Sequence, residues 1–145
     1  MSNNKKAVYA LVSAATIATI TALAHLSCIV LGPACYKAQM APEAIIQSAQ
    51  AKTLLAPFGT VLASSLFLLL AWFALAASGR VKKLPLQRLA LYSAGILCLL
   101  RGIATVPLSL LFPEMVSLFS LVSGGVWLLA GILLLYGVHN IKKGI

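Results

Sequence analysis

Arg101 is the residue whose type and position most need a partner. Leu97 to Leu100 precede it and Gly102 to Val106 follow it, so it falls near the middle of a long apolar run. A guanidinium at that depth in a bilayer costs ~2.5–3.5 kcal/mol on insertion scales and ~10–17 kcal/mol in simulations of isolated helices. Such a residue is expected to face the interior of a helix bundle and to be paired. It could serve as an anion, substrate or proton site, or as an internal clamp between helices or between a helix and a loop. The chain has only two acids, Glu43 and Glu114. Glu114 lies about 20 Å further along the same helix direction, which leaves Glu43 as the expected partner. Pro107 adds an acceptor, because it has no N–H for the carbonyl of Ile103.

His25, Tyr36 and the cysteines form a second group. At helical spacing His25 shares a face with Thr21, Cys28 and Gly32. It could titrate or bind a ligand, although an interhelical hydrogen bond is the commoner use of such a residue. Tyr36 follows the Gly32-Pro33 break, as an interfacial anchor like Trp72 and Tyr136 or as a hydrogen-bonding group near Glu43. Arg101, Glu43, His25 and Tyr36 are therefore the candidate ligand-binding or buried polar site. Cys28 and Cys35 flank the break and form a candidate disulfide on an oxidising side, while Cys98 falls within the later apolar run. A His25/Cys28/Cys35 metal site matches no specific ligand spacing, so no metal is assigned. Haem b needs two histidines at one level, and His25 and His139 belong to opposite ends. No paired carboxylates, nucleotide loop or nucleophile–base set is present. The expectation is a non-enzymatic protein with no catalytic residue and no cofactor. The apolar runs also lack an acid, the simplest coupling group of a proton-driven exporter.

These residues must be held by elements that hydrocarbon can solvate. The chain has 145 residues, 61% of them apolar and 9% charged, against roughly 25% charged in ordinary soluble domains. So short a soluble fold could not hide that much apolar surface. Apolar runs cover about 7–31, 54–77, 89–111 and 115–138, each long enough to cross a core of about 30 Å. They do not alternate as barrel strands do. The fold class is all-α: a polytopic four-transmembrane-helix bundle forming a single domain over 1–145. The first run continues to Leu31, well past a signal-peptide core of about 7–15 residues, and is read as a membrane span rather than a cleaved leader.

The net charge of +9 is explained by where it sits. Lys5, Lys6, Arg80, Lys82, Lys83, Arg88, Lys142 and Lys143 flank the runs in three segments. Only Lys37 and Lys52 occupy the 32–53 connection. Basic residues favour the cytoplasmic side and anionic lipid, so both termini are expected inside and the 32–53 loop outside. No folded basic face suited to nucleic acid appears. Within the outer loop, Pro42 and Glu43 suit a helix start, and Ile45, Ile46 and Ala49 make an apolar stripe against Gln47, Ser48, Gln50 and Lys52. A short amphipathic helix follows, lying at the outer membrane surface or capping the bundle. Small residues at fourfold spacing (Ala14, Ala18 and Ala22; Gly59 and Ala63; Ser120 and Gly124), continued by Gly131 and Gly137, mark packing faces.

The set His25, Gly32, Tyr36 and Ala41-Pro42-Glu43, then Leu84-Pro85-Leu86 with Arg88, then Leu99-Leu100-Arg101-Gly102, resembles a group of small, uncharacterised four-helix bacterial inner-membrane proteins. The likeness spans about residues 20–105 and implies the bacterial inner (cytoplasmic) membrane, with no activity attached. The expected function is to bind a partner, lipid or small ligand within the bundle. The alternative is a small transporter or ligand-binding protein with a site around Arg101, Glu43 and His25. Expected partners are the lipid bilayer and either another membrane protein or further copies of the chain.

Overall fold

The computed structural model describes residues 2–141; the Lys142-Lys143 flank lies outside them. Six α-helices follow in order: α1 (Ser2–Leu31), α2 (Pro33–Ala38), α3 (Glu43–Gln50), α4 (Leu55–Ala77), α5 (Gln87–Leu111) and α6 (Leu118–Asn140), with a 3-10 turn at Pro113–Met115. Among the described residues there is no strand. Helices α1, α4, α5 and α6 are long and apolar enough to cross a membrane.

Local chemistry sets the boundaries. The polar residues Asn4, Lys5 and Lys6 extend α1 beyond its apolar run, since adding a residue to an existing helix costs little. Gly32 ends α1 at φ +80°, a conformation open to glycine, and Pro33 opens α2 where its missing N–H costs nothing. Pro42 precedes α3, and Glu43 places its charge in the first turn. Helix α6 begins at Leu118 rather than near Met115. The 3-10 turn takes up Pro113–Met115, and Ser117 then caps the helix: Ser120 N–H donates to Ser117 Oγ at 3.1 Å, and Ser117 N–H donates to Ser120 Oγ at 2.9 Å. This reciprocal cap satisfies two end groups and fixes the start.

The chain divides into two compact units: one joins the residues up to Ile17 with those from Leu70 onward, and the other is Ala18–Leu69. In the first, α5 and α6 form an antiparallel hairpin built on absent side chains. A Cβ at Gly102 would stand 2.7 Å from the backbone nitrogen of Leu128, and one at Gly131 would stand 2.8 Å from that of Leu99. Thr105 packs against Gly124 one step further along. Such close approach gives transmembrane helices the dispersion contacts that replace a hydrophobic driving force. At the other end of α6, Gly137 receives Leu11 of α1, and Leu11, Leu134 and Val138 are fully buried. Arg88 Nη2 donates to the carbonyl of Ile141 at 2.8 Å, tying the start of α5 to the end of α6.

The Ala18–Leu69 unit is held differently. Ser64 Oγ of α4 donates to the carbonyl of Ala22 in α1 at 3.2 Å, beside a fully buried Ala22. Ala56 N–H, in the first turn of α4, donates to Ser48 Oγ of α3 at 2.8 Å. That bond satisfies an open donor at a helix start and fastens α3 to α4. Across both units many large apolar side chains are exposed, among them Ile20, Leu66, Ile103 and Leu129. Water would not tolerate so much apolar surface, and hydrocarbon would. Four such helices fit a multi-pass integral membrane protein.

Candidate functional site

His25, Tyr36 and the Cys28/Cys35 pair come together in the Ala18–Leu69 unit. The bend at Gly32-Pro33 folds α2 back beside the end of α1, and Cys28 and Cys35 form a disulfide with Cα atoms 5.1 Å apart. Cys28 is buried, and Tyr36 and Ala56 join it in one apolar cluster packed by Ile45, Ile46 and Ala49. Those three residues are the apolar stripe of α3, which therefore faces the other elements of its unit.

Gln39 connects the bend to α1. Its Nε2 donates to the carbonyl of Ala24 at 2.8 Å, and its Oε1 lies 2.9 Å from His25 Nδ1. A main-chain carbonyl can only accept, so the amide nitrogen faces Ala24 and the amide oxygen faces the histidine. His25 Nδ1 must then carry the proton. In the neutral ring the other nitrogen, Nε2, is an acceptor. Phe67 holds the ring edge-on, with centroids 5.4 Å apart at 76°. Imidazole orientation and tautomer are thus both set by protein groups.

A second chain of hydrogen bonds sets the phenol. Thr60 Oγ1 donates to the carbonyl of Ala56 at 2.7 Å and lies 2.9 Å from Tyr36 OH. The threonine's single proton is committed to the carbonyl, so the tyrosine donates to the threonine. Its own oxygen keeps acceptor capacity. Tyr36 and Thr60 are both buried, where an unmade hydrogen bond would cost more than a made one contributes.

A cavity of about 380 Å³ opens between these groups. His25, Tyr36, Gln39, Met40, Ile45 and Thr60 line it, together with the small residues Gly59 and Ala63 of α4. Its size is within the range of about 300–1,000 Å³ seen for small-molecule sites. The wall is mostly apolar, and among the oriented side chains that line it the capacity left over is that of acceptors: Nε2 of the neutral His25 ring and the Tyr36 oxygen. Gln39 has no such capacity on its nitrogen side, which Ala24 and the Cys35 sulfur at 3.5 Å engage.

Arg101 and Glu43 do not share this arrangement. Glu43 is exposed, and its Oε1 accepts from Gln47 Nε2 one turn along α3 at 3.2 Å. The Tyr36 hydroxyl pairs with Thr60. Arg101 belongs to the other unit, where Nη1 donates to Thr105 Oγ1 at 3.4 Å. The sequence leads one to expect an arginine turned inward, whereas the structure leaves it exposed on the side of α5. Gly95, Cys98, Gly102 and Thr105 take the buried face, and a side chain as long as arginine has no place among backbones that approach so closely.

Sequence reasoning passes over Gln39, Thr60 and Ser64 and sets Ser48 on the polar side of α3, whereas Ser48 is buried and all four organise this unit. Gln39 gives no signal in a short polar connection. Thr60 and Ser64 do: at a spacing of four on an apolar helix they mark one polar edge of α4. Because both sulfurs are in the disulfide, the His25/Cys28/Cys35 set has no thiolate to offer a metal. Among the described residues, no other His, Cys, Asp and Glu side chains gather in a group of three. No family model, curated protein or solved structure matches the chain.

Proposed function

We propose that this chain is a non-enzymatic integral membrane protein that takes a small, mostly apolar ligand into the cavity beside His25 and Tyr36. One observation carries the reading. A half-open, mostly apolar space is bordered by two polar groups whose orientations are set by protein partners, His25 by Gln39 and Phe67, Tyr36 by Thr60. Groups held this firmly pre-organise a site, so little ordering cost remains on binding. Since the free polar capacity accepts hydrogen bonds, the preferred ligand has a hydroxyl, amide or amine donor on an apolar body. Carboxylates and phosphates are disfavoured, because the site offers them lone pairs.

The charge pattern and the disulfide support the same placement of this site. Lys5, Lys6, Arg80, Lys82, Lys83 and Arg88 favour the cytoplasmic side for their segments. That puts the Cys28–Cys35 disulfide on the opposite, oxidising side, where such bonds persist. The resemblance to small bacterial inner-membrane proteins supports that membrane as the location, and the charge pattern supports cytoplasmic termini.

The ligand is sought by extracting the chain from its native membrane in mild detergent and identifying released organic molecules by mass spectrometry. The wild type is expected to retain a donor-bearing apolar compound. Ala63→Phe, which fills the cavity, is expected to lose it while still forming the disulfide. His25→Phe should weaken the compound roughly fivefold, as fits one hydrogen bond. Equal retention by wild type and Ala63→Phe, or retention by neither, would sink the proposal. The sidedness is checked by labelling intact cells with an impermeant thiol reagent. Lys52→Cys should react and Lys83→Cys should not.

A further inference from the structure

Arg101 sets a problem that the other described residues leave open. Its guanidinium has five N–H donors. Among the described residues it meets one hydrogen-bond partner, Thr105 Oγ1, at a long 3.4 Å. The residue is exposed, as are Leu97 one turn before it and Leu108 two turns after it on the same side of α5. The cation therefore stands in an apolar strip that the described residues leave exposed.

Reaching the lipid headgroups does not resolve this. Arg101 is roughly 15 Å of helical rise from the Leu111 end of α5 and about 21 Å from the Gln87 end, further than one side chain spans. The contact with Thr105 draws the group toward the Leu111 end, where Val106, Leu108, Leu110 and Leu111 are all exposed apolar residues. A second copy fails for a separate reason. Symmetric pairing through this strip would oppose one Arg101 to another. The acids a copy could bring, Glu43 in α3 and Glu114 in the 3-10 turn, both lie outside the four spanning helices.

We infer that the Leu97–Arg101–Leu108 strip of α5 is a docking surface for a transmembrane helix of a different protein, one that carries an aspartate or glutamate at mid-membrane depth. Charge complementarity selects the occupant: a carboxylate accepts two guanidinium N–H groups side by side and neutralises the charge. In hydrocarbon neither group is stable alone, so the pair specifies both partner and register. This interface is independent of the cavity beside His25.

The test places a photoreactive phenylalanine derivative at Leu97 of the full chain in native membranes, with Ile103, also exposed but on the opposite side of α5, as the control position. Irradiation should join Leu97, and not Ile103, to a membrane protein with an acid inside a spanning helix. Arg101→Leu should lower that adduct by roughly tenfold or more while Arg101→Lys keeps most of it. Neutralising the partner's acid should match Arg101→Leu, and exchanging the two charges should restore the adduct. Retention of the Cys28–Cys35 disulfide and monodisperse extraction show that each variant is folded. The inference is overturned if Leu97 joins only lipid, only a second copy or nothing. It is equally overturned if the adduct is unchanged in Arg101→Leu.

Discussion

The α5–α6 hairpin and the Ala18–Leu69 unit are both built from apolar helix, yet they are joined by opposite means. In the hairpin, Gly102 and Gly131 let backbones touch, and contact is made by leaving side chains out. In the other unit, a disulfide and side-chain hydrogen bonds from Gln39, Tyr36, Ser48 and Ser64 hold the helices and the bend together. Glycine contacts leave no room between helices. In the other unit two of the tethering side chains, Gln39 and Tyr36, border the cavity.

Substitutions can break this contrast at either end. The largest effect is expected at Gly102→Leu, because its new side chain would meet the backbone of Leu128, which cannot move aside without parting the helices. Overpacking of this kind costs about 3 kcal/mol or more, and the variant should lose its monodisperse peak in detergent. The adjacent pair Gly124 and Gly125 sharpens the point. Alanine at 124 meets Thr105, whereas alanine at 125 meets nothing within 4 Å. Gly124→Ala should lower the melting temperature and Gly125→Ala should leave it unchanged or slightly raised.

Breaking the disulfide by Cys28→Ser with Cys35→Ser should cost about 2.5 kcal/mol on the loop-entropy account. The loss should be local. Hydrogen exchange is expected to quicken in α2 and α3 and stay unchanged in α5 and α6. Uniform quickening would show that the tethers of one unit also stabilise the hairpin, contrary to the distinction drawn above.

The Tyr36–Thr60 pair gives the smallest and most discriminating effects. Thr60→Val strands the buried tyrosine hydroxyl and should cost about 1–3 kcal/mol. Tyr36→Phe leaves Thr60 still donating to Ala56 and should cost about 1 kcal/mol or less. Thermal melts that reverse this order would show that the proton assignment is wrong.

Much of the fold was legible in the residues. Hydrocarbon admits few backbone structures, so long apolar runs read as helices. Gly32-Pro33 read as a break because only glycine takes that dihedral easily and proline restarts the chain. The stripe of Ile45, Ile46 and Ala49 gave α3 its buried face. The start of α6 was harder, since Met115 and Val116 are as apolar as the helix that follows. A cap at Ser117, not hydropathy, decides it. His25, Tyr36, Cys28 and Cys35 were recognisable as polar or reactive groups around one bend. Gln39 was not, because its role depends on reaching back across fourteen positions to His25.

By itself the sequence determined the solvent and the helices, because burying apolar residues and satisfying backbone hydrogen bonds are properties of each segment taken alone. Tertiary structure decided which polar groups meet. A hydrogen bond depends on a few tenths of an ångström between segments distant in the chain, and no local pattern encodes that distance. Hence Tyr36 found Thr60, His25 found Gln39, and Arg101 came to lie on the flank of a hairpin whose inner face glycine had already filled.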